Sequence, residues 1–137
     1  MPLGQWSDTR DPSPTHYFEI NGKQILLEIA VTDQEKSQGL KGRNSFPVNH
    51  GMLFTVNPEQ EVQLWMAGVR FPLDMVFLHN EKVSAVLSDV PPCTTSPGDC
   101  PIYDSGGIVD SVIELSAGTA ESLSLTEGST IKIFELD

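Results

Sequence analysis

A chain of 137 residues, 39% hydrophobic and 20% charged, has material for one domain with a real core and too little for two. Its net charge is −11, unevenly spread: from Glu81 onward ten acids face two bases, and the first 80 residues hold nine acids and six bases. Such a surface repels phosphate backbones and anionic bilayers, so no nucleic-acid partner is expected, and no apolar run approaches the roughly 18 residues a membrane span needs.

The first sixteen residues, MPLGQWSDTRDPSPTH, lack both a basic start and an apolar h-region, so they do not read as a signal peptide. With three prolines and few apolar side chains they read as a linker-like tail (1–16), either the remainder of a trimmed leader or a native cytoplasmic start, ahead of one domain over 17–137. In HYFEINGKQILLEIA two β-rich runs flank Asn21-Gly22, a pair that favours a type I′ hairpin turn. Ile25, Leu27 and Ile29 share one face of the second arm. Thr32 followed by Glu35 is a capping box, predicting a short helix that ends near Gly39 or Gly42. Lys36, Lys41 and Arg43 offer a small local basic patch.

GMLFTV reads as a buried strand closed by Asn57-Pro58. VQLWMAGV and FPLDMVFL follow, separated by a break over 68–72; HNEK is a turn and VSAVLSDV the next strand. PPCTTSPGDCP is a turn-rich loop in which Pro97-Gly98 reverses the chain between Cys93 and Cys100. The two sulfurs can meet at ordinary disulfide separation, which implies an oxidising compartment; two inert thiols or a metal pair are the alternatives. IVDSVIEL is another strand, AGTAESLSL holds a helical turn, and IKIFEL is the last strand. Short strands at this spacing predict a mainly β fold, a compact single-domain β-barrel or sandwich with one or two short helices.

One residue breaks the pattern. In FPLDMVFL, Phe71, Leu73, Met75 and Phe77 share one face, and Pro72, Asp74, Val76 and Leu78 the other. Both faces are apolar, so a carboxylate at Asp74 needs a partner or a proton. The possible partners are Arg70, Arg43, or backbone N–H groups of the 68–72 turn. If Asp74, an arginine and Trp65 converge, they line a pocket with charge for a polar ligand and an aromatic plane. The ligand-binding candidates are therefore Arg43, Trp65, Met66, Arg70 and Asp74. The competing reading has Asp74 pinning a turn or ion pair while Trp65, Met52 and Met66 fill the core. No serine elbow, zinc-protease motif or phosphate loop is present, so no catalytic residue is assigned. His16, His50 and His79 are scattered in sequence; no metal or cofactor is expected, and His50, a possible base, reads as an exposed turn residue.

Taken in order, IAVTDQEKSQGLKGR, GMLF, LWMAGVRFPLDMVFL, VIELSAGTA and EGSTIKI resemble the DUF192 (UPF0127) family of small bacterial and archaeal proteins without an assigned activity. Gly39, Leu40 and Arg43 match its Gly-Leu-Met-x-Arg segment, Gly51 to Phe54 its Gly-Met-Leu-Phe, and Leu64 to Met66 its Phe-Trp-Met. Pro72, Leu73 and Asp74 match its Pro-Leu-Asp. The chain departs from the pattern at Lys41, where methionine is common, at Ala67-Gly68-Val69 in place of Lys-Asn-Thr, and at Gly118-Thr119-Ala120, which lacks an arginine. The resemblance implies a compact β fold and no substrate, and the Pro-Pro-Cys loop is similar to that of exported members. The combined expectation is an exported, non-catalytic module binding a small polar ligand or a protein partner. The alternatives are a hydrolase-like enzyme using Asp74 with an arginine, or a structural cell-envelope protein.

Overall fold

The computed structural model describes residues 13–137. Residues 1–12 of the expected linker lie outside the described residues, and the first strand among the described residues, β1 (His16–Ile20), begins at the last residue of that tail. β1 turns through Asn21 and Gly22, both at positive φ (51° and 79°) as a type I′ turn requires, into β2 (Lys23–Ala30). Helix α1 (Asp33–Gln38) starts with the expected capping box: Thr32 Oγ1 accepts the Glu35 N–H and Glu35 Oε1 accepts the Thr32 N–H, both at 3.0 Å. The backbone N–H groups of Thr32 and Val31 hold the Glu35 carboxyl below its ordinary range.

The remaining strands are β3 (His50–Gln60), β4 (Gln63–Trp65), β5 (Leu73–His79), β6 (Lys82–Val90), β7 (Ile102–Asp104), β8 (Val109–Ser116) and β9 (Phe134–Glu135), with α2 (Thr119–Ser122) after β8. Seven of them form one sheet in the order β6-β5-β8-β3-β2-β1-β9, and β4 pairs with β7 as a separate ribbon. Every pairing is antiparallel except β2 with β3, which are parallel and joined through α1. Asn57-Pro58 does not end β3 as expected. The ladder to β8 shifts register between Thr55 and Gln60, and proline, which has no N–H to donate, falls in that unpaired stretch.

Of the two architectures expected, barrel or sandwich, the barrel does not close, and the mainly β, layered fold keeps to the sandwich alternative. The outermost strand β9 is two residues long and pairs only with β1, and the far edge, β6, meets the C-terminal segment through a single bridge, Lys82 to Thr130. Backbone bonds from Val83 N–H to Ser129 and from Ile131 N–H to Glu81, each 2.8 Å, fasten that segment across the gap. It completes a core on one sheet face, where Leu27, Leu53, Val76, Leu78, Ile113 and Leu115 meet Leu123 and Leu125 beyond α2. On the other face Met52, Met75, Phe77 and Val112 are covered by Leu40, Phe46, Met66, Val69 and Phe71. Each large side chain fully buried this way contributes roughly 1.5–3 kcal/mol. β5 is buried on both faces with the alternation its sequence predicts. Gly51 leaves room for this packing, since a Cβ there would lie 2.7 Å from Leu115 Cδ2.

The Cys93–Cys100 disulfide forms, with the two Cα atoms 5.9 Å apart around a tight turn at Pro97–Asp99. The Gly68 N–H donates to the Cys93 carbonyl at 3.2 Å, which ties this loop to the segment covering the second core face.

Candidate functional site

Strand parity places Asp74 on the α2 side of β5, where it is 0% exposed. Its Oδ1 accepts the Asp89 N–H at 2.9 Å and its Oδ2 accepts the Ala120 N–H at 2.8 Å. Asp89 sits at φ 56° where β6 shifts register against β5, and Ala120 opens the short turn of α2. One carboxylate thus ties a bulge and a helical turn to the central sheet. Backbone donors answer it, as one of the three sequence alternatives held, but they come from residues 89 and 120 and not from the 68–72 turn.

Neither arginine reaches it. Arg43 forms a bidentate pair with Glu28, Nη1 to Oε2 and Nη2 to Oε1 at 2.8 Å each, with the two side chains 14% and 9% exposed. Its guanidinium also lies 5.7 Å from the Phe46 ring centroid. Arg70 is exposed and donates to Asn44 Oδ1 at 3.3 Å. Met66 is fully buried in the second core, and Trp65 lies on the outer ribbon, 44% exposed. Arg43→Lys is expected to lower stability by about 1–2 kcal/mol, because a single ammonium cannot give two parallel bonds to Glu28. A urea midpoint equal to that of the parent chain would show that the forked geometry contributes nothing.

The register sets one row of side chains across the second face: Met75 on β5, Glu114 on β8, Met52 on β3 and Glu28 on β2. Glu28 has its arginine. Glu114 is 7% exposed and has no hydrogen-bond or ion-pair partner among the described residues. Burial between apolar neighbours pushes its pKa up to about 7. The sequence carried a signal for it: Glu114 stands between Ile113 and Leu115 as Asp74 stands between Leu73 and Met75. Reading IVDSVIEL simply as a strand, without assigning its faces, passed over that acid.

Glu114 opens into a cleft of about 490 Å³ between the end of α1, the outer half of β3 and β4. Its walls include Phe54, Leu64, Trp65 and Val69, and Lys36 and Lys41 also line it. Neither lysine ammonium pairs with a carboxylate among the described residues. The Lys41 stem lies against Gly68, whose missing Cβ would come 3.2 Å from Lys41 Cγ, and Gly68 has φ 79°. Two departures from the family pattern therefore pack on each other at the wall of this cleft. Of the ligand-binding candidates named from sequence, only Trp65 lines it, together with Lys36 and Lys41 of the expected basic patch. Arg43 borders a separate hollow of about 300 Å³ with Glu28 and Met52.

The fold also brings together Glu59, His79 and Asp110, with ligand atoms within 4.8 Å of one another, although the histidines are scattered in sequence. His79 Nε2 is 3.1 Å from Glu59 Oε2, and Asp110 Oδ2 accepts the Asn80 N–H at 2.8 Å. These hydrogen bonds account for the grouping at a solvent-facing rim.

A comparison with curated proteins finds no match to this sequence. A solved structure from Sinorhizobium meliloti 1021, described as a proposed transcription regulator, is similar with a TM-score of 0.75 at 26% identity, covering 92% of this chain and 98% of that one. A protein of unknown function from Novosphingobium aromaticivorans DSM 12444 is similar with a TM-score of 0.74 at 24% identity, covering 87% and 83%, a likeness of fold alone. The profile of DUF192, described as an uncharacterized ACR, matches residues 16–133. That span takes in every described strand but β9 and all the segments that line the cleft, and the chain belongs to the DUF192 family.

Proposed function

We propose that this domain binds a small polar ligand in the cleft above Glu114 and works in an oxidising, extracytoplasmic compartment. The observation that carries the reading is a carboxyl 7% exposed, without a side-chain partner among the described residues, in a cleft whose walls include Phe54, Leu64, Trp65 and Val69. Buried polar groups are normally hydrogen-bonded, and one left open toward a cavity of this size is what a ligand would complete. Trp65, exposed at the cleft, offers the flat apolar surface that the sequence reading gave it. Asp74 and Met66 hold the surrounding strands, and Arg43 fixes the neighbouring β2. The disulfide supports the compartment, and among the described residues no helix is long and apolar enough to cross a membrane.

A hydrolytic reading needs a second acid, base or nucleophile facing the buried carboxyl. The other titratable side chains lining the cleft are Asp33, Lys36 and Lys41, on or just beyond α1. Asp74, the acid that the enzymatic alternative relied on, is buried on the opposite sheet face with both oxygens occupied. The Sinorhizobium protein is described as a proposed transcription regulator, and for this chain a role through direct contact with DNA is disfavoured by the net charge of −11.

The test is a fragment screen by amide NMR on the isotope-labelled full chain. Binders are expected to shift Val112, Glu114 and the Trp65 indole together. Shifts confined to other surfaces, or none from a broad library, would overturn the assignment.

A further inference from the structure

We propose that the ligand of the Glu114 cleft is a zwitterion, carrying an ammonium group at one end and a carboxylate at the other, joined by an apolar chain. This rests on the ligand-binding reading above and specifies its chemistry.

Four side chains that can carry charge line one cleft, Asp33, Lys36, Lys41 and Glu114, and none of them forms an ion pair among the described residues. Opposite charges free to approach would form an ion pair, and here none does. Glu114 is fixed between Met52 and Met75 in the middle of the sheet, whereas Lys41 is laid across Gly68 and Lys36 rides on α1. No ammonium lies within ion-pair distance of the carboxyl, and Phe54, Leu64 and Trp65 line the same cleft. A molecule spanning that gap answers both ends at once.

Simpler ligands leave something unanswered. An anion would satisfy the lysines and face Glu114, which repels it when ionised. A cation would suit Glu114 and meet two like charges. A neutral polar molecule can hydrogen-bond the carboxyl but brings no counter-charge to the lysines. A zwitterion places its ammonium at Glu114, where a charge-assisted hydrogen bond replaces the water that burial removed. Its chain lies on the aromatic walls, and its carboxylate reaches the lysines. Asp33 also lines the cleft, one helical turn before Lys36, and offsets part of that lysine's charge, so Lys41 is assigned the larger share of the anionic end.

The burial that raises the Glu114 pKa to about 7 adds a pH signature. An ammonium binds the ionised carboxyl, so affinity should rise from pH 6 toward pH 8, by about tenfold for each unit below the pKa. Asp33, Lys36 and Lys41 are the other titratable groups facing the ligand.

The experiment is an amide NMR titration near pH 8 with a series of straight-chain ω-amino acids, from 4-aminobutyrate to 8-aminooctanoate, and with hexanoate and hexylamine as one-ended probes. At least one zwitterion should give saturable shifts at Val112 and the Trp65 indole, with both one-ended probes at least about tenfold weaker. Glu114→Gln and Lys41→Met should each weaken it by about tenfold or more, and the amide spectrum of each variant reports whether it is folded. The proposal is overturned if a one-ended probe binds as tightly, or if Glu114→Gln binds like the parent. If no zwitterion binds but neutral fragments shift the same residues, the ligand class is wrong and the binding function stands. If nothing perturbs the cleft, both fall.

Discussion

Asp74→Asn should lose about 2–4 kcal/mol of folding stability in urea near neutral pH with the disulfide intact. The carboxylate is 0% exposed, and each oxygen accepts one backbone N–H, from Asp89 and from Ala120. Asparagine fills the same volume but keeps one acceptor oxygen and turns an NH2 donor toward the other N–H. One buried amide is then left facing a donor, and the remaining bond loses its charge assistance. For a slope of about 2 kcal/mol per molar urea, the midpoint should fall by about 1–2 M. Amide exchange gives a local check, because Asp89 and Ala120 should lose protection before the strands do. An unchanged midpoint would mean that the carboxylate is not what holds the β6 bulge and α2 to β5, and the site would need a different explanation.

That arrangement marks where the sequence stopped being readable. Asn21-Gly22 and the Thr32/Glu35 box were legible because their partners lie within a few residues, and both formed as expected. The two-faced burial of Phe71 to Leu78 was legible because strand parity is a local rule. Asp74 announced that it needed a partner, but its donors stand 15 and 46 residues away along the chain. Only the β5-β6 register and the return of the chain after β8 bring them within reach. Glu114 was harder still. Its isolation depends on which residues flank it on β3 and β5, and the sequence does not state that Met52 and Met75 will be those neighbours. Lys41 and Gly68 each departed from the family pattern, and only the folded chain lays one on the other. The barrel failed to close for an equally non-local reason, since IKIFEL contributes only a two-residue strand, too short to pair along both sheet edges.

Glu114→Gln should make the protein more stable relative to the parent as pH rises. In the parent, the Glu114 pKa is raised from 4.5 to about 7 by burial alone. Below 4.5 the folded and unfolded chains both hold the proton, and the group costs nothing through ionisation. Between about 4.5 and 7 the unfolded chain releases a proton that the folded chain keeps, so stability falls by about 1.4 kcal/mol per pH unit. Above 7 both forms are ionised and the full cost remains; the difference of 7 and 4.5 corresponds to about 3 kcal/mol. Glutamine does not titrate, and its own buried amide adds an offset that is the same at every pH. The readout is therefore the difference between variant and parent from pH 4 to pH 8, in which every other titrating group cancels to first order. A difference that stays flat across that range would mean that the carboxyl is solvated or paired, and the cleft would lose the group on which its binding role was built. A bound ω-amino acid should have a recognisable effect on the same curve. Its ammonium lowers the Glu114 pKa, so at saturation the pH-dependent part of the difference shrinks toward zero while the parent gains stability from the ligand. A ligand that stabilises the parent and leaves the slope intact binds without touching Glu114.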